Sequence, residues 1–149
     1  MGPGHKHIIR RSTILGVLGA LTMCAVALAS STSYYNGTTN QKLGHHPVVI
    51  NLYVSHHKVT GVNVAAIFPN CQNTYQPFNF SQPHALGFAI NRSRFTGQVV
   101  VRVETVKKIL QISGRFKGHQ LSGTLTASLG VCSSGKVTYK AQTASGPSL

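Results

Sequence analysis

Apolar and polar residues alternate with a period of two along most of the chain that follows residue 47. Val48, Ile50, Leu52 and Val54 form the first such run, and the residues between them make up a second, more polar face. Successive side chains of an extended chain point to opposite faces, so this pattern predicts a strand that buries one face. No stretch shows the period of about 3.6 residues that is typical of an amphipathic helix.

Turn residues divide this pattern into about eight short strands. Gly118 and the segment Ser133–Ser134–Gly135 mark turns, and Gly61 indicates a bulge inside the second strand. Short strands at hairpin spacing predict one all-β domain over residues 47–142, an antiparallel β-sandwich or barrel. After the strand that begins at Val48, the predicted strands span residues 59–68, 86–90, 99–106, 109–116, 120–128 and 136–141.

Three segments lack the alternation or interrupt it. Residues 30–46 are rich in Ser, Thr and Asn, and we predict a flexible polar leader there. Residues 74–83 carry two prolines, which predicts a loop between strands. The last residues, 143–149, are predicted to form a loose C-terminal tail.

The first 29 residues have the organisation of an export signal. Basic residues at Lys6, Arg10 and Arg11 precede an uncharged apolar run over residues 14–29, which ends in the small-x-small sequence Ala27–Leu28–Ala29. This order of regions predicts a signal peptide that is cleaved after Ala29, and hence a secreted protein. A retained membrane anchor is the less favoured alternative, because a spanning helix usually needs about 20 apolar residues.

Charge composition excludes several classes of enzyme. The chain has 14 Lys and Arg residues but a single Asp or Glu, Glu104, for a formal net charge of +13 at pH 7. One carboxylate cannot build the acid pair of a glycosidase, and without Asp there is no Ser-His-Asp triad or carboxylate-rich calcium loop. Glycine-rich nucleotide loops and the H-E-x-x-H motif are also absent from the sequence. We therefore predict a non-catalytic protein without a cofactor.

Cys71 and Cys132 are the two cysteines that remain after signal cleavage. An exported protein with exactly two cysteines is expected to pair them in a disulfide. The alternatives are two free thiols or a pair of metal ligands.

Four of the eight histidines form two adjacent pairs, His45–His46 before the first predicted strand and His56–His57 after it. Neighbouring residues of an extended segment face opposite sides, and the two pairs are up to about 35 Å apart along a straight strand. This spacing does not suit a shared metal ion, so we predict solvated histidines and no metal site.

Basic residues with almost no acidic partners favour contact with polyanions. We predict a binding domain that contacts an anionic polysaccharide, a teichoic-acid-like polymer or a membrane surface. No helix motif or aromatic RNA-binding pattern indicates sequence-specific recognition of nucleic acid. The candidate binding residues are Arg92, Arg94, Lys107, Lys108, Lys136 and Lys140.

Two other functions remain open. Tyr75, Phe78 and Phe80 alternate in the predicted 74–83 loop, and a lectin-like or protein-binding module could use them as a stacking platform. The favoured interpretation of Phe78 and Phe80 is that they cover one open end of the core, because large exposed apolar patches are uncommon. A membrane-active cationic protein is the third hypothesis, although no amphipathic helix is predicted.

Glycine-containing segments follow one another through the second half of the chain: Phe95-Thr96-Gly97, Ile112-Ser113-Gly114-Arg115-Phe116, Ser122-Gly123-Thr124-Leu125, and Cys132 to Tyr139 followed by Ala141. In this order, and with the two cysteines, they resemble a group of small exported β-proteins of actinobacteria and related bacteria. The position of Tyr139 is commonly Trp in that group. The resemblance implies an exported, disulfide-bridged β-domain and implies no particular activity.

Overall fold

The computed structural model describes residues 32–80 and 86–145, in which ten strands and one short 3₁₀ turn over Pro69–Cys71 are formed. The predicted signal peptide lies outside these residues. Within the two described ranges, no helix is long and apolar enough to cross a membrane. The strands are β1 (Ser33–Leu43), β2 (His46–Ser55), β3 (Lys58–Phe68), β4 (Thr74–Phe80), β5 (Phe88–Ala89), β6 (Arg94–Val103), β7 (Val106–Lys117), β8 (Gln120–Leu129), β9 (Cys132–Ser133) and β10 (Val137–Ala144).

All the strands belong to one antiparallel sheet with the order β4-β3-β2-β1-β10-β8-β7-β6. Side chains from both halves of this sheet share a single hydrophobic core, in which Ile50 and Leu52 of β2 join Leu110 of β7 and Leu121 of β8. Strands so distant in the sheet can share a core only if the sheet curls around it. The predicted all-β, antiparallel class is therefore confirmed, in the form of a half-barrel made of one curled sheet.

The short strand β5 connects the two halves of the curled sheet. Its Phe88 lies opposite Val59 of β3 in the ladder. The ring of Phe88 also covers Gly97 of β6 so closely that a Cβ atom there would collide with it. Gly97 thus makes room for an aromatic side chain that joins the beginning of β3 to β6.

The flexible leader predicted for residues 30–46 is wrong for most of its length, because Ser33–Leu43 form the central strand β1 between β2 and β10. Only Tyr35 and Thr39 of this strand are buried, while its other face is polar. Gly37 lets β10 approach closely, since a Cβ atom there would collide with the backbone at Lys140 and Ala141. The tail prediction is likewise wrong for residues 143 and 144, which complete β10.

The loop predicted for residues 74–83 is wrong over Thr74–Phe80, which form the edge strand β4. An edge strand tolerates Pro77 because the side of the strand that faces away from the sheet needs no ladder donor. Phe78 lies opposite Val64 of β3 and is buried.

Tyr139 of β10 crosses beneath β8 and donates a hydrogen bond of 2.9 Å from its hydroxyl to the carbonyl oxygen of Ser113 in β7. Gly123 and Gly114 lie along its path, and a Cβ atom at either would stand 2.6 Å from the Tyr139 oxygen. Burial disfavours the charged phenolate and raises the pKa of Tyr139 above its usual value. These two glycines therefore accommodate a buried tyrosine that ties three strands together.

The predicted disulfide between Cys71 and Cys132 is confirmed, with the two Cα atoms 5.7 Å apart. It joins the 3₁₀ turn after β3 to the short strand β9. Asn70 strengthens the same connection, because its side chain donates to the carbonyl of Val131 and accepts from the amide of Ser133.

Candidate functional site

The two ends of the curled sheet carry different turns and cross-links, and each carries a like-charged pair across the β6–β7 ladder, Arg94 with Arg115 and Arg102 with Lys107. We call one end the disulfide end, because it carries the Cys71–Cys132 bridge and the turn between β6 and β7. The opposite end, the basic end, carries the β7–β8 turn at Gly118–His119 and the turn that precedes β6. Glu104, the single Asp or Glu of the chain, lies in the β6–β7 turn at the disulfide end.

A row of basic side chains crosses the outer face of the sheet near the basic end. Arg94 of β6 lies directly opposite Arg115 of β7, and Arg115 lies opposite Ser122 of β8. Ser122 in turn lies opposite Lys140 of β10. Neighbouring strands are about 4.8 Å apart, so the three charges follow one line across four strands. We call Arg94, Arg115 and Lys140 the basic row.

Two further cations lie next to the basic row. Lys117 is two residues after Arg115 and faces the same side of β7. Arg92 is exposed in the tight turn between Asn91 and Arg94, where the backbone is left-handed at Arg92 and Ser93. Together with the basic row, Arg92 and Lys117 make up the basic patch.

The pairing of Arg94 with Arg115 costs stability. Like charges directly opposite each other in a ladder destabilise a sheet by about 0.2–1 kcal/mol. Glu104 is ten residues beyond Arg94, about 33 Å further along the strand direction. Its carboxylate therefore cannot reach the guanidinium group of Arg94 or Arg115. A bound anion between the two guanidinium groups would relieve the repulsion.

A groove of about 550 Å³ runs across the outer face from β7 to β1 and includes part of the basic row. Its charged side chains are Arg115, Lys117 and Lys140. The side chains that line the groove between these cations are small or uncharged and polar. The groove is therefore open and rich in hydrogen-bonding groups. These polar residues are Asn36, Thr38, Gln120, Ser122 and Gln142.

The six predicted polyanion-binding residues do not form one cluster. Arg92, Arg94 and Lys140 belong to the basic patch, whereas Lys107 is eight residues before Arg115, about 27 Å away along β7. Lys136 precedes β10 and is about 13 Å from Lys140 along the strand. Arg115 and Lys117, which were not among the six predicted residues, complete the basic patch.

Lys108 points to the inner side of the sheet, with its Nζ 5.8 Å from the centre of the Phe78 ring. A cation over an aromatic face is a packing contact that stabilises the fold. Lys108 is therefore occupied by a structural contact and is not part of the basic patch.

The stacking platform that the alternative hypothesis requires is not formed. Phe78 is 1% exposed, and Phe80 packs against the same core from the inner face of β4. Tyr75 points to the outer face and is 45% exposed. The three aromatic side chains thus lie on two sides of one strand, and Phe78 is out of reach of a ligand.

The two histidine pairs lie at opposite ends of β2, with His46 at its first residue and His56 immediately after its last. Among residues 32–80 and 86–145, no three His, Cys, Asp or Glu side chains are grouped so that they could hold a metal ion. The separation of the two pairs follows from the sequence pattern alone, because one strand lies between them.

Arg115 and Lys117 are the residues of the patch that sequence reasoning missed. The sequence places Arg115 beside Phe116 in a strand. It does not indicate which cations lie opposite Arg115 in the ladder. An alternation count would have placed Arg115 and Lys117 on the face opposite Leu110 and Ile112, which are buried.

Comparison with known protein families, curated proteins and solved structures finds no match for this chain. Its function is therefore inferred from the geometry of the basic patch and the groove.

Proposed function

We propose that this protein is a secreted, non-catalytic domain that binds anionic polymers of the cell envelope or extracellular matrix through the basic patch. The observation that carries the proposal is the basic row, in which Arg94, Arg115 and Lys140 cross one face of the sheet far from Glu104. The polymer class includes anionic polysaccharides and teichoic-acid-like chains. The disulfide supports export, because disulfides persist in oxidising compartments.

Arginine suits this role because its planar guanidinium donates two parallel hydrogen bonds to a carboxylate or phosphate. Arg94 and Arg115 are direct ladder partners, so their side chains can contact the same anionic group or two successive groups. Lys140 continues the row on the far side of Ser122, whose small side chain leaves space for the ligand. A repeating polyanion can therefore meet several cations at once.

Replacement of Arg115 by Thr is expected to weaken binding and to stabilise the fold. We expect about tenfold weaker binding of polygalacturonate in 50 mM salt, which is the loss of one charge-assisted contact. We expect the free energy of unfolding to rise by about 0.5 kcal/mol, because the repulsion with Arg94 disappears. Isothermal titration calorimetry and urea denaturation measure the two effects.

Lys107→Thr is the matched control, because Lys107 lies on the same strand and the same face but at the disulfide end. Lys107→Thr makes the same change in net charge, but its binding should stay within about twofold of the wild type because Lys107 lies outside the basic patch. The affinity of the wild type itself should fall steeply with salt. Equal losses for Arg115→Thr and Lys107→Thr would contradict a localised site and indicate attraction by net charge alone. Binding by the wild type that does not change between 50 and 200 mM salt would contradict the proposal itself.

A further inference from the structure

A second row of like side chains runs parallel to the basic row on the same outer face. Each of six consecutive strands places one carboxamide in this row, and each carboxamide lies directly opposite the next in the ladder. The row ends beside Lys117, which is the ladder partner of Gln120. In strand order from β4 to β8, this carboxamide row consists of Asn79, Asn63, Asn51, Asn36, Gln142 and Gln120.

The two rows are close enough for one ligand to contact both. Gln142 is two residues after Lys140 on β10, and the same step separates Gln120 from Ser122 on β8. Two residues of a strand span about 7 Å. Gln120, Gln142 and Asn36 are exposed, and all three line the groove that also holds Lys140 and Arg115.

The chemistry of the carboxamide row differs from that of the basic row. A carboxamide has both donors and an acceptor, whereas Lys and Arg have donors only. The side chain of Asn36 donates from Nδ2 to Oδ1 of Asn51 at 2.6 Å, and the hydroxyl of Tyr34 donates to the same oxygen at 2.8 Å. These bonds orient Asn36 and leave its own Oδ1 as an acceptor. A sugar hydroxyl can donate to such an oxygen, but a fully ionised phosphate or carboxylate has no proton to give.

We infer that the anionic polymer is a polysaccharide that lies across the strands, with its hydroxyl groups on the carboxamide row and its anionic groups on the basic row. This inference rests on the proposed function and adds the class of polymer. Neighbouring strands are about 4.8 Å apart, close to the length of one sugar residue in an extended chain, so successive sugars can meet successive strands. A polyphosphate, which has charge without hydroxyl groups, cannot donate to the carboxamide oxygens, so the basic row carries most of its binding.

The test compares two polymers and two pairs of glutamines. Polygalacturonate carries hydroxyl and carboxylate groups, and linear inorganic polyphosphate of similar length carries charge alone. Gln120 and Gln142 are ladder partners on the outer face, and so are Gln98 and Gln111 on β6 and β7, which lie outside both rows. The double variant Gln120→Ala/Gln142→Ala therefore has a matched control in Gln98→Ala/Gln111→Ala.

We expect Gln120→Ala/Gln142→Ala to bind polygalacturonate about tenfold more weakly than the wild type, because hydrogen bonds to hydroxyl groups are lost. Its affinity for polyphosphate should stay within about twofold, and the salt dependence of both titrations should not change, because no charge is removed. The control variant should match the wild type with both polymers. The single variant Gln120→Ala provides the same comparison if the double variant unfolds.

Equal losses for the two polymers, or an unchanged affinity for polygalacturonate, would overturn the assignment of the carboxamide row while leaving the basic patch in place. Failure of the wild type to bind either polymer would overturn the proposed function and this inference together. The two failures are thus distinguished by the behaviour of the wild type.

Discussion

Removal of the Cys71–Cys132 disulfide is expected to lower the free energy of unfolding by about 4 kcal/mol. The two cysteines are 61 residues apart in sequence, so the bridge removes much of the conformational freedom of the unfolded chain. It also joins the turn after β3 to β9, two elements that lie in different halves of the curled sheet. Since domains of this size are stable by about 5–15 kcal/mol, the expected loss is a large part of the total.

Urea denaturation of the wild type with and without a reductant measures this effect, and Cys71→Ala/Cys132→Ala measures it without thiols. The double variant should show the same loss and should not respond to the reductant. Asn70→Ala, which removes the hydrogen bonds beside the bridge, should cost about 1 kcal/mol and serves as the local control. A loss below about 1 kcal/mol on reduction would show that the sheet alone holds these elements together.

Gly123→Ala is expected to lower the free energy of unfolding by about 3 kcal/mol, which is the upper range for overpacking a core. The added Cβ would collide with the carbonyl oxygen of Ser113 and stand 2.6 Å from the hydroxyl of Tyr139. The Ser113 oxygen belongs to the backbone of a paired strand and cannot move aside without disturbing the ladder between β7 and β8. Its hydrogen bond from Tyr139 would be strained by the same displacement.

Thermal unfolding followed by circular dichroism should show a fall of about 10 °C for Gly123→Ala. Gly87→Ala is the matched control, because a Cβ atom at Gly87 meets no atom within 4 Å. We expect the melting temperature of Gly87→Ala to stay within about 2 °C of the wild type. An equally small change for Gly123→Ala would contradict the close packing of Tyr139 against the two glycines.

The errors at β1 and β4 each have their own physical origin. A strand in the middle of a sheet needs paired backbone groups and one buried face, but that face can consist of few and small side chains. β1 buries only Tyr35 and Thr39, and Gly37 allows the backbone of β10 to pack closely against it. The composition of β1 is therefore that of a disordered polar segment. β4 contains Pro77, which local rules assign to a turn, although the edge of the sheet accepts it.

Local alternation was sufficient to predict an all-β chain, the bulge near Gly61 and most strands after Val48, because the side chain of each residue must choose one face of its own strand. Composition and cysteine number likewise predicted the excess of positive charge and the disulfide. The candidate site depended on register instead. Arg94 and Arg115 are 21 residues apart in sequence, and Asn36 and Gln142 are 106 residues apart, yet each pair is directly opposed in the ladder. A periodic pattern determines the face of the strand from which a side chain projects, whereas only the folded sheet determines which strand lies beside it. The basic patch and the carboxamide row both arise from this pairing of strands.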